Sequence, residues 1–164
     1  MIHVILTGLL VTSAWYDWKY RRIPNAVTLS AVVLGLCYQW HIGSLWTATM
    51  GVLGAFVLTV FPVAAKGMGM GDQKLLMALG AWTSWMDVYT LFLQSMGICL
   101  LSVLFFPCSW SRLARNLHVM AAGWKAHRQL WLPEVGSSGF SFPYAVFLLC
   151  AFLLRQAMRM LGES

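Results

Sequence analysis

This sequence is short of charge. Only 10% of its 164 residues are charged, against roughly 25% in an ordinary soluble domain. Acids are the scarcest: Asp17, Asp72, Asp87, Glu134 and Glu163 are all there are. In their place stand 60% hydrophobic residues and a mean hydropathy of +0.72. A soluble domain of this size could not hide so much apolar surface. That excludes a cytosolic globular enzyme, a disordered chain and a coiled coil. Paired cysteines are missing too. Cys37, Cys99, Cys108 and Cys150 form no CxxC and lie in or beside apolar runs, so they read as small apolar fillers rather than zinc ligands or disulfides. His3, His41, His118 and His127 lack ligand spacing, and no metal site is expected. No basic stretch precedes the first apolar run, which is therefore read as a retained helix and not a cleaved signal.

What remains points to an all-α, polytopic membrane protein forming one domain over 1–164. Six apolar segments can be read, at 2–16, 24–40, 45–65, 73–86, 88–107 and 142–161. A membrane span needs about 20 residues, with a range of roughly 17–25. The second, third, fifth and sixth segments meet that, and the first and fourth are short. About six transmembrane helices are thus expected. The basic residues outnumber the acids, for a net charge of +6, and they are not scattered. Nine of the eleven fall in the links at 17–23, 66–74 and 108–141. Positive-inside bias places those links in the cytoplasm and both termini outside, with no nucleic-acid partner implied. Arg155 and Arg159 mildly oppose this. Trp40, Trp46, Trp82 and Trp85 fit an outer aromatic belt. In the link 108–141, Leu113, Leu117, Met120, Trp124 and Trp131 share one helical stripe, predicting an amphipathic helix on the inner leaflet. Gly51 and Gly54 read as small packing residues between helices.

Acids at a bilayer are costly and usually functional. Asp17 closes the first segment and Asp72 opens the fourth, so this topology puts both at the cytoplasmic face, with Asp87 at the other. Two carboxylates sharing a desolvated site cannot both ionise cheaply. One can then act as base toward a water and the other as acid toward a carbonyl oxygen, the pair titrating together. The plainer reading pairs each acid with a neighbouring cation: Asp17 with Lys19, Arg21 or Arg22, and Asp72 with Lys74. The setting of Asp72 favours chemistry. Gly69-Met70-Gly71-Asp72 is a GxGD sequence whose glycines allow close backbone approach. Met68 and Met70 are candidates to line an apolar peptide's path.

Three motifs carry a family resemblance that covers nearly the whole chain. Asp17-Trp18-Lys19-Tyr20-Arg21-Arg22-Ile23-Pro24-Asn25 resembles a D…IPN element. Gly69-Met70-Gly71-Asp72-Gln73-Lys74-Leu75 resembles GxGDxKL, and Phe142-Pro143-Tyr144-Ala145 resembles a late (I/F)PYA element. Together they resemble the type IV prepilin peptidases, GxGD aspartic membrane proteases, in the short form of tight-adherence (Flp) pilus systems. The resemblance implies an aspartic endopeptidase of the bacterial inner membrane. It would cut the leader of prepilins or pseudopilins at the cytoplasmic face, with pilus assembly machinery as a further partner. Asp17 and Asp72 match the catalytic pair, and Gly69 and Gly71 the motif glycines. Lys74 matches the motif lysine, for which orientation of Asp72 is an expectation. Pro24, Asn25, Pro143 and Tyr144 match site-shaping positions, and Pro24 suits the first position of the second helix. No metal or organic cofactor is implied. The family's long form carries a CxxC-bearing domain linked to N-methylation. This sequence shows no CxxC, so methyltransferase activity is not assigned.

Three rivals stand beside this reading. A non-catalytic assembly subunit could keep the fold. A proton-coupled transporter would want acids at several depths, which the sequence does not offer. A presenilin-type GxGD protease would not call for the D…IPN and PYA elements.

Overall fold

The structure is a computed structural model that describes residues 2–65, 67–105 and 144–162. Every described element is an α-helix: α1 (Ile2–Tyr20), α2 (Asn25–Ile42), α3 (Leu45–Ala64), α4 (Met70–Trp82), α5 (Trp85–Phe105) and α6 (Tyr144–Gly162). These are the six segments expected from the sequence. The amphipathic helix expected in the link 108–141 lies outside the described residues, as do Lys66, Glu134, Pro143 and Glu163.

The helices differ from their sequence-based bounds where polar chemistry sets the ends. α1 continues through Tyr20, so Asp17 lies inside its last turn. The helix stops at Arg21, which takes the left-handed φ of 52° while its N–H donates to the Asp17 carbonyl at 3.0 Å. Few side chains adopt that conformation without cost. α2 begins at Asn25, with Pro24 at the N-cap, one residue outside the position expected for it. α2 ends at Gly43, whose φ of 78° closes the helix by returning two N–H groups to Gln39 and Trp40, the use of glycine that left-handed caps require. α4 and α5 are separated only by Thr83 and Ser84. Ser84 Oγ accepts the Asp87 N–H at 3.2 Å, and Asp87 Oδ2 accepts the Ser84 hydroxyl at 2.8 Å. That reciprocal capping box starts α5 and draws Trp85, Met86 and Asp87 into its first turn.

The chain divides into two compact units, residues 1–97 with 143–164, and residues 98–142. Within the first, α2, α3 and α4 pack together and α1 lies against α6, with α4 also touching α1 and α6. Small residues set the close approaches. At Gly51 and Gly80, α3 and α4 nearly touch backbone to backbone: a Cβ on Gly51 would stand 2.3 Å from the Gly80 carbonyl oxygen. A Cβ on Gly54 would strike the Trp85 ring. The core is Leu6, Leu10, Leu75, Leu76, Leu79 and Leu148. Large apolar side chains cover the outside as well: Val57, Phe61, Trp40 and Trp46 are all well exposed. So broad an apolar exterior suits lipid, not water. α3 and α6 are each long and apolar enough to cross a bilayer. The protein is an all-α membrane protein.

Two sequence-based placements need correction. Trp82 is not part of an exposed belt. It is buried, stacks on Tyr38, and donates its indole N–H to the Ala31 carbonyl at 2.8 Å. Buried tryptophan usually finds such an acceptor. Met68 packs into the apolar core, leaving Met70 as the exposed one of the pair. The tail arginines find a partner that the charge count did not supply. Arg155 pairs with the Asp87 carboxylate and also donates to the Asp87 carbonyl and Thr90 Oγ1. Arg159 approaches the same carboxylate at 3.5 Å.

The Gly51–Gly80 crossing gives a direct test. Gly51→Ala or Gly80→Ala should push α3 and α4 apart and cost about 1–3 kcal/mol, in the range of overpacked interiors. Gly8→Ala meets no heavy atom within 4 Å and should be neutral or stabilise by about 0.5–1 kcal/mol. Thermal denaturation in detergent micelles measures both. Equal midpoints for all three variants would show the crossing to be loose.

Candidate active site

Asp17 and Asp72 reach one place from different directions. α1 carries Asp17 in its last turn and α4 carries Asp72 in its first. The two carboxylates lie close enough for the charge of Asp17 to act on Asp72. Helix direction explains why. α1 runs toward this end and the α4 N-terminus starts from it, so one end of the molecule collects both acids. The starts of α2 and α6 lie there too, through Asn25 and Ala145. Asp87, Arg155, Arg159 and His3 gather at the other end, where His3 meets Gln156 at 2.5 Å.

Each acid of the pair is held by a backbone N–H. Asp72 is the third residue of α4, and its carboxylate turns back to accept the N–H of the N-cap residue Gly69. The carboxylate thereby satisfies one of the donors that a helix start leaves free and sits at the positive end of the helix dipole. A Cβ at 69 would stand 3.1 Å from Asp72 Oδ2, so glycine leaves the carboxylate room to turn back. Gly71 serves a different contact: a Cβ there would press on Ile23 at 3.3 Å. The second glycine of GxGD therefore lets the link between α1 and α2 settle against α4. Asp17 is 8% exposed. Its Oδ2 accepts the Ala145 N–H at 3.2 Å, across 128 residues of sequence, and the Arg21 charge acts on it. Asp17 thus serves the first turn of α6 as its acceptor.

The other motif residues tie these pieces together. Lys74 Nζ donates to Asn25 Oδ1 at 2.8 Å, joining α4 to the start of α2. Orientation of Asp72 was the role expected of Lys74, and the contact observed is with Asn25 instead. Tyr144 is buried, with its hydroxyl 2.6 Å from Ser95 Oγ on α5. Pro143 lies outside the described residues. Ser95 was missed in the sequence because a single serine in an apolar helix carries no signal. The Ser84-x-x-Asp87 cap was missed although its spacing was there to read. It gives Asp87 a structural occupation, apart from the pair.

Two acids whose charges act on each other resist joint ionisation, so that one is favoured protonated while the other is ionised. One can then take a proton from water while the other gives one to a carbonyl oxygen.

Comparison with known proteins agrees with the family resemblance. Residues 4–105 match the type IV leader peptidase family. The chain belongs to that family. Both aspartates, the GxGD glycines, Lys74, Pro24 and Asn25 fall inside the matched range. Among curated proteins, it is similar to a prepilin leader peptidase/N-methyltransferase of Neisseria gonorrhoeae, 30% identical over 115 residues, which is 65% of this chain and 36% of that one. A protein of the same name from Stutzerimonas stutzeri is 28% identical over 153 residues, 85% of this chain and 52% of that one. One from Escherichia coli is 32% identical over 110 residues, 57% of this chain and 49% of that one. The chain spans from about a third to a half of the length of these relatives. No solved structure matches it.

The Lys74–Asn25 tie is open to a double-mutant cycle. Lys74→Met and Asn25→Ala should each destabilise the leader peptidase fold slightly and couple by about 0.5–1 kcal/mol, as suits an exposed charge-assisted hydrogen bond. Additive losses in thermal denaturation would mean that the tie contributes nothing.

Proposed function

We propose that this chain is a membrane aspartic endopeptidase that removes the leader peptide from type IV prepilins or pseudopilins, with Asp17 and Asp72 as its catalytic pair. The observation that carries this reading is the convergence of these two acids, from α1 and α4, within reach of each other's charge. Membership of the leader peptidase family and the names of its relatives supply the substrate class. The resemblance to the short form suggests Flp-type prepilins within that class.

In the mechanism, the pair holds one proton. The ionised carboxylate takes a proton from a water, whose oxygen attacks the scissile carbonyl. The protonated carboxylate gives its proton to the carbonyl oxygen. Collapse of the resulting diol returns a proton to the amide nitrogen and breaks the C–N bond. Gly69, Gly71, Lys74, Pro24, Asn25, Pro143 and Tyr144 shape this site without entering the bond changes. Ala145 N–H on Asp17 and Gly69 N–H on Asp72 hold each carboxylate in place.

The end bearing the pair faces the cytoplasm in this proposal, in the bacterial inner membrane with both termini outside. Nine of eleven cations support that orientation. The remaining two, Arg155 and Arg159, gather on Asp87, whose carboxylate offsets one of their two charges. A prepilin would then enter with its apolar helix in the bilayer and present the leader junction at the inner interface.

Asp17→Asn and Asp72→Asn should each abolish leader removal, read as prepilin mobility on a gel after co-expression, with both variants still inserted in the membrane. Processing by either variant would overturn the assignment and favour a non-catalytic assembly role. Purified wild-type protein should show a bell-shaped dependence of rate on pH. Activity falls on the acid side as both carboxylates become protonated, and on the alkaline side as both ionise. The two limbs report the pair and not single residues. A profile with one limb only would argue against a shared proton.

A further inference from the structure

We infer that Ser95, in the middle of α5, is a positioning residue for Asp17, acting through Tyr144. The inference rests on the reading of Asp17 as one of the catalytic pair. It begins with the hydrogen bond between the Ala145 N–H and Asp17 Oδ2. Whether that N–H meets the carboxylate depends on where α6 stands along its own axis. A slide of one residue, ~1.5 Å, carries a 3.2 Å contact out of hydrogen-bond range.

Apolar packing alone sets such a position weakly in lipid, where helix faces and acyl chains are alike in polarity. Polar ties set it. Near the Asp17 end, α6 is tied to α5 by the contact between Tyr144 and Ser95, 2.6 Å long and buried on both sides. Tyr144 is the residue directly before Ala145, so this tie lies one residue from the N–H that it would place. At the far end, Arg155 holds Asp87 and Thr90 of the same helix, eleven residues from Tyr144. A small error in register is thus felt most directly through Tyr144.

The direction of the tie follows from hydrogen counting. Ser95 has one hydroxyl hydrogen, and it donates to the Phe92 carbonyl at 2.8 Å. With that hydrogen on Phe92, its oxygen is open to accept from the Tyr144 hydroxyl 2.6 Å away. The chain runs from Tyr144 to Ser95 to the backbone of α5. Ser95 thereby anchors the start of α6 to a rigid helix without touching the pair.

The test uses the full chain, purified in detergent micelles, with a purified type IV prepilin at varied concentration. Ser95→Ala should lower kcat ten- to a hundredfold, the scale of a misplacement near 1 Å, with KM unchanged because no substrate contact is lost. Tyr144→Phe should match it, and the double variant should be no worse than either single one. Thr59→Val is the control: it deletes an equally buried hydroxyl that bonds only within α3, and should keep the wild-type kcat. Full kcat in Ser95→Ala or in Tyr144→Phe would overturn the inference. So would losses that add in the double variant, a rise in KM that accounts for the loss, or an equal loss in Thr59→Val. Where Ser95→Ala does not accumulate, Tyr144→Phe decides by the same criteria. Asp17→Asn is assayed alongside. If it turns over prepilin, the catalytic reading itself fails. If it is inactive while Ser95→Ala is fully active, only the role of Ser95 falls.

Discussion

An ionisable group among apolar helices must find its hydrogen bonds inside the protein. Most backbone N–H groups there are already spent on the helices themselves. The free ones are the first few of each helix, and the acids of this protein are found at those places. Asp72 accepts from the start of α4, Asp87 from the start of α5, and Asp17 from the start of α6. Asp72 and Asp87 stand in the first turns of their own helices, where the dipole also favours negative charge, while Asp17, in the last turn of α1, meets the start of α6. That constraint explains much of the arrangement at once. Asp17 and Asp72 both draw on helix starts that lie at one end, which brings the two acids together.

What then separates the acids is the company they keep. Asp87 receives Arg155 and Arg159 as well as its own capping serine, and nothing remains for it to do beyond joining α5 to α6. Asp17 and Asp72 receive each other. A like charge in a half-buried site makes the doubly ionised state expensive, which is the condition for sharing a proton. Lys74 could have relieved it, but its ammonium is engaged by Asn25. The motif lysine therefore joins α4 to the start of α2.

Much of this was legible in the sequence. Six apolar runs match the six helices among the described residues. The pairing of Asp17 with Asp72 followed from counting acids on one face. What was not legible depended on contacts that span the chain. The partner of Asp17 is a backbone N–H 128 residues away, and backbone groups leave no mark in composition. Trp82 read as a belt residue because its position near a helix end said nothing of the Ala31 carbonyl waiting in α2. The ends of α1 and α5 moved by a few residues because a left-handed Arg21 and the Ser84 cap, not hydropathy, decide them.

The two halves of the site differ in how firmly they are held. Asp72 is fixed locally: its donor is three residues away and on its own helix, and Gly69 is there to let them meet. Asp17 is fixed remotely, by a helix that follows it late in the chain and stands against it mainly through apolar side chains. Of the two carboxylates, Asp17 is therefore the one whose setting can change with the packing of the bundle. This asymmetry also gives the late Tyr144-Ala145 element its physical meaning. It supplies the N–H that holds Asp17.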